Sequence, residues 1–173
     1  VDTSLFSPGP KPEWARSLAA PVVLSVGRVA VEKGLPDFLG MDMPGTKVVV
    51  GDGPARAKLE SEFPDVVFLG AKFGEELAEA YRAADVFVFP SKTDTFGLVM
   101  LEALASGVPV AAYPVMGPVD VIGDAPVGSL DDDLKKAVTT ALSIPRESCR
   151  TYAEGFSWRA CAERFRGYLA PFG

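Results

Sequence analysis

Short, continuously apolar runs that stop at a glycine or a turn recur along this chain, and they most narrow what it can become. Residues 21–26 end at Gly27, 47–50 at Gly51, 66–69 at Gly70, 85–89 at Pro90, and 108–112 at Tyr113. Runs of this kind, without polar alternation, read as strands buried on both faces. Helical patterns lie between them over 35–41, 54–62, 75–83 and 96–106. Such alternation implies right-handed βαβ units and a parallel sheet of about six strands, a three-layer α/β, Rossmann-like domain. A weak sixth strand is expected near 125–127, and the Gly/Pro-rich segment 113–118 reads as a loop. Helices are expected over 130–144 and 146–154. A last one opens at Ser157, with Trp158, Cys161, Phe165, Tyr168 and Leu169 recurring on one face.

Residues 1–20 are proline-dense and aperiodic, a lead-in or interdomain linker; 21–156 form the domain, and 157–173 a C-terminal helix and tail. The first residue is not Met, and the expectation is a piece of a longer polypeptide. With 173 residues, 48% of them hydrophobic, the chain can bury one substantial core. Its net charge of −6, without a Lys/Arg cluster, argues against a nucleic-acid partner. Neither a membrane-length apolar run nor a leader pattern is visible, so a cytoplasmic setting is expected. The chain has no histidine. That removes Ser-His-Asp, Cys-His and His-metal chemistry, and leaves carboxylates, Lys, Tyr and backbone dipoles. Cys149 and Cys161 lack metal-ligand spacing and read as reduced thiols.

In parallel sheets of this class ligands bind at the carboxyl ends of the strands, so the loops that follow them matter most. Arg28 and Lys33 straddle the first strand-to-helix turn. They suit a diphosphate, which Arg grips bidentately and Lys meets as a compact charge, or they are two solvated cations. Gly51-Asp52-Gly53-Pro54 is half a dinucleotide fingerprint or a tight turn; Gly53 would also let a ligand approach the backbone. The stretch 89–109 is the sharpest feature. Its helix, from about Phe96 to Ser106, is apolar nearly all round, the pattern of a helix buried among neighbours, yet it carries Glu102. Asp94 sits at the helix mouth. Asp94 could be an N-cap and Glu102 half of a structural salt bridge to a Lys or Arg. An anion and hydroxyl groups arriving together at the helix N-terminus would satisfy both the amides and the carboxylates.

Residues 91–109 resemble the E-x7-E region of retaining glycosyltransferases of family 4, which share the GT-B fold of two Rossmann-like domains. Val26-Gly27-Arg28 with Lys33-Gly34, then Gly51-Asp52-Gly53-Pro54, Phe68-Leu69-Gly70 and the run 84–91 follow in that family's order and spacing. The resemblance implies one half of a GT-B fold, the donor-binding domain of an enzyme moving a hexose from a UDP- or GDP-linked sugar, without a metal or other cofactor. It implies that Arg28 and Lys33 hold the diphosphate and Asp94 the transferred sugar. Gly27 would admit the pyrophosphate, and Phe96, Gly97 and Leu98 would offer backbone amides. Glu102 would bind the ribose, and the base would lie near Gly70, Ala71 and Lys72. Asp94 departs from the family's usual Glu by one methylene. The acceptor domain, and any membrane contact it makes, would belong to a missing N-terminal half, so the isolated domain is expected to bind nucleotide without turnover. A dinucleotide-dependent oxidoreductase domain and a non-catalytic interaction module are the alternatives; the oxidoreductase lacks its G-x-G-x-x-G.

Overall fold

Six parallel strands share one sheet in the order β3-β2-β1-β4-β5-β6. They are β1 (Val22–Val26), β2 (Thr46–Val50), β3 (Val67–Phe68), β4 (Val86–Phe89), β5 (Val110–Ala112) and β6 (Gly128–Leu130). The computed structural model describes residues 1–94 and 97–168. Eight α-helices lie among them: α1 (Leu35–Leu39), α2 (Arg56–Glu62), α3 (Gly74–Ala83), α4 (Leu98–Ala105), α5 (Met116–Val121), α6 (Leu134–Ala141), α7 (Arg146–Glu154) and α8 (Trp158–Tyr168).

Alternate residues of each strand point to opposite faces, and both faces are covered. Leu24, Val48, Phe87 and Val110 face a core completed by α3, α4, α5 and α7. Val23, Val49, Val88 and Ala111 face a second core with α1, α2 and α6. This is why the strands read as unbroken apolar runs. Helix α4 is apolar nearly all round for the same reason, because it touches β4, β5, α3, α5 and α7.

Three elements differ from expectation. The sixth strand is Gly128–Leu130 rather than 125–127, because Pro126 has no N–H to give a ladder and 125–127 forms a turn instead. Helix α6 begins at Leu134, not at Leu130, where Asp133 caps it by accepting from the Lys135 and Lys136 amides. Helix α5 occupies part of the expected Gly/Pro loop: Pro118 falls in its first turn, where no amide is needed.

Residues 1–20 pack onto the α3–α4–α7 side. Phe6 meets the Tyr81 ring edge-on at 5.6 Å. Arg150 on α7 donates to the carbonyls of Thr3, Phe6 and Ala105. On α8 the expected face is not buried: Trp158 and Phe165 are exposed, and Leu169 lies outside the described residues. No helix among the described residues is long and apolar enough to cross a membrane.

The strand order places the site. From β1 the chain steps outward to β2 and β3, then returns to β4 on the other side of β1. The crevice at the carboxyl ends of β1 and β4 is therefore the switch point at which such sheets bind ligands.

Candidate functional site

A cleft of about 230 Å³ opens at that switch point. Gly27, Arg28 and Lys33 line it from the segment after β1, Asp94 from the loop after β4, and Gly97 and Leu98 from the start of α4. Six of the residues singled out in the sequence thus converge on one cavity. Phe96 lies outside the described residues.

Gly34 brings the two walls together. It adopts a left-handed φ of +65°, and a Cβ there would sit 2.4 Å from the Pro90 carbonyl oxygen. That approach lets Lys33 Nζ reach Asp94 Oδ1 at 2.5 Å. Asp94 is therefore not the N-cap of α4; Gly97 holds that position, and among the described residues no side chain caps the helix. The Met100 amide bonds to the Gly97 carbonyl at 2.9 Å, and Leu98 and Val99 bring the helix start to the cleft. Arg28 stands more exposed, 3.5 Å from Glu32. The site is thus two cations, one carboxylate and a helix start, a set that can accept an anion while holding a neighbouring hydroxyl.

Glu102 lies one turn into α4, off the cleft lining. Its partner is not a Lys or Arg but the Tyr81 hydroxyl on α3, which donates to Oε2 at 2.8 Å. Burial pushes the Glu102 carboxyl above its usual value, and the Tyr81 hydrogen bond opposes this only in part. Tyr81 is itself driven well upward by burial and by the Glu102 charge, so it stays a donor. The raised carboxyl contributes stability that is full below the ordinary glutamate value and is lost as pH rises through the folded-state value. Glu102→Gln is therefore expected to gain stability over the native chain at neutral pH, with the gain vanishing in acid. Urea denaturation at the two pH values checks the sign, and a gain independent of pH would contradict it.

Gly53, Gly70 and Lys72 do not line the cleft. A Cβ on Gly53 would meet the Val29 carbonyl oxygen at 2.3 Å, and the Gly70 carbonyl accepts from the Gly51 amide at 2.8 Å. Those glycines close the turns after β2 and β3 against their neighbours. Lys72 pairs with Glu76 at 2.9 Å beside a separate groove that includes Trp14 and Leu69. No group of three or more metal-ligating side chains is gathered among the described residues.

Sequence reasoning passed over Ser25 and Ser91, buried hydroxyl residues that line the cleft at the ends of β1 and β4. It also missed a cluster at the rim. The Tyr113 hydroxyl donates to Asp37 Oδ2 at 2.9 Å, and Lys92 Nζ reaches the same oxygen at 3.3 Å. Burial and the Asp37 hydrogen bond push Tyr113 up to about 12. One signal was available: Tyr113 ends an apolar strand at the edge where ligands bind.

The family model described as glycosyl transferases group 1 matches residues 20–144. A GDP-mannose-dependent alpha-mannosyltransferase of Mycobacterium tuberculosis is 37% identical, over 97% of this chain and 48% of its own. Among solved structures, sucrose-phosphate synthase from Thermosynechococcus elongatus superposes with a TM-score of 0.77 at 27% identity, over 96% of this chain and 49% of that one. The C-terminal domain of a group 1 glycosyl transferase family protein from Francisella tularensis matches nearly end to end. Its TM-score is 0.67 at 21% identity, covering 95% of this chain and 98% of that one. The chain spans about half the length of the curated relatives it matches.

Proposed function

The chain belongs to the group 1 glycosyl transferases, and we propose that it is the donor-binding half of a retaining enzyme that takes a mannosyl group from GDP-mannose. The observation that carries this reading is the meeting of Arg28, Lys33, Asp94 and the start of α4 in one cleft. The M. tuberculosis relative, named for GDP-mannose, supports the choice of donor.

In this reading the diphosphate draws Lys33 away from Asp94, and Arg28 grips it from the cleft mouth. Asp94, released, accepts from hydroxyls of the sugar. As the bond from the sugar to the diphosphate breaks, negative charge grows on the leaving phosphate. The two cations and the first amides of α4 neutralise it, so no metal is required. Beyond the cleft lining, Glu102 would take the ribose hydroxyls with the oxygen that Tyr81 does not hold, and the base would extend out of the cleft toward Gly70 and Lys72. An acceptor domain would close the cleft from above. Val31, Phe73, Leu98 and Met116 are large apolar residues exposed at the same carboxyl edge, and they suit such a cover. The cytoplasmic setting expected from the sequence belongs to the same reading.

Thermal unfolding with GDP-mannose, GDP, UDP, ADP and NAD tests it. GDP-mannose and GDP at about 100 times their dissociation constants are expected to add about 2.7 kcal/mol, with no sugar transfer by the chain alone. Stabilisation by NAD alone would indicate an oxidoreductase domain. No response to any nucleotide would indicate a binding-incompetent module.

A further inference from the structure

Asp94 enters the cleft from the segment that joins β4 to α4, whose residues 91–94 are described up to it. Within that segment the Thr93 amide reaches the Ser91 hydroxyl at a long 3.4 Å. Among the described residues, the tethers lie elsewhere. Lys33 holds Asp94, the Thr93 hydroxyl donates to the Glu32 carbonyl at 3.4 Å, and Lys92 reaches Asp37. The last is part of a closed triangle. Asp37 Oδ2 accepts from both Lys92 and Tyr113, and the Lys92 ammonium stands 4.2 Å from the centroid of the Tyr113 ring. Tyr113 is buried at the end of β5 and Asp37 sits on α1, so two corners rest on fixed elements and the third is the loop. Asp37 also lies one helical turn beyond Lys33, just past the Gly34 turn, on the segment that forms the other wall.

When an anion recruits Lys33, the Lys33–Asp94 tether is lost at the moment Asp94 must meet the sugar. The Asp37 triangle does not depend on Lys33 and survives that exchange. We propose that Asp37 is a positioning residue: through Lys92 and Tyr113 it holds Asp94 in register with the donor's sugar, without touching the donor. This rests on the reading that Asp94 contacts the transferred sugar. Lys92 and Asp37 are at least half exposed, with side-chain accessibilities of 57% and 50%. An exposed pair adds little to global stability, so its effect belongs in donor discrimination rather than in the melting temperature.

The test is calorimetric titration of the native chain, Asp37→Asn, Asp94→Asn and the double variant with GDP-mannose and with GDP. The native chain is expected to prefer GDP-mannose, and Asp94→Asn to remove that preference. Asp37→Asn should lower the preference by about three- to tenfold, with the GDP affinity and melting temperature near native. Lys92→Met should do the same. In the Asp94→Asn background, Asp37→Asn should change nothing further, because its effect passes through Asp94. A preference that Asp94→Asn removes but Asp37→Asn and Lys92→Met leave intact overturns the inference alone, as does a full additive loss in the double variant. A native chain without preference overturns the role of Asp94 and this inference with it.

Discussion

Replacing Arg28 and Lys33 together with alanine is expected to leave the chain folded and to abolish its stabilisation by GDP. Their side-chain partners are Glu32 and Asp94, and neither cation is fully buried. The exposed Arg28 pair holds the fold together weakly, and the partly buried Lys33 pair contributes more without carrying the core. Against a bound diphosphate the same cations make charge-assisted hydrogen bonds, each worth about 1.5–3 kcal/mol. Losing both corresponds to about 10²–10⁴ in affinity. Native affinity should also fall with added salt, and the residual affinity of the variant should fall less. A variant that melts like the native chain and still gains the full GDP shift would remove both residues from the site.

The second large effect is structural and sits between those two cations and Asp94. Gly34→Ala places a Cβ 2.4 Å from the Pro90 carbonyl at a φ of +65°. The left-handed conformation costs about 1–2 kcal/mol for a residue with a Cβ, and the overlap about 1–3 kcal/mol more. Chemical denaturation should show the sum, about 2–5 kcal/mol. Gly74→Ala is the control: its φ is +53°, but a Cβ there meets nothing within 4 Å. It should cost only the conformational part. Equal losses at the two positions would mean that the Pro90 contact relaxes freely, and GDP affinity would then stay native in Gly34→Ala. A larger loss at Gly34 should be accompanied by weaker GDP binding, because Lys33 and Asp94 are pushed apart.

The sheet was legible because strands buried on both faces leave little room for polar residues, and each of the first five runs supplied a strand. The sixth was misplaced where Pro126 gave an apolar segment with no donor for the ladder. The cleft residues were legible one by one, since each follows a strand. Their convergence was implied by the family resemblance but not by the spacing itself, because it depends on the order that sets β1 beside β4. Glu102 shows the limit most clearly. Its need for a partner follows from an apolar helix, but the partner is a hydroxyl on α3, 21 residues earlier. In sequence, Tyr81 reads as one more core aromatic. The Asp37–Lys92–Tyr113 triangle draws on three separate elements, and no spacing along the chain announces it.

Amide chemical-shift mapping of the chain titrated with GDP-mannose tests the central assignment most directly. Saturable changes are expected at Gly27, Arg28, Lys33, Ser91, Asp94, Gly97 and Leu98, the residues around the β1–β4 crevice. Saturable binding that leaves those amides unmoved and shifts another surface would contradict it.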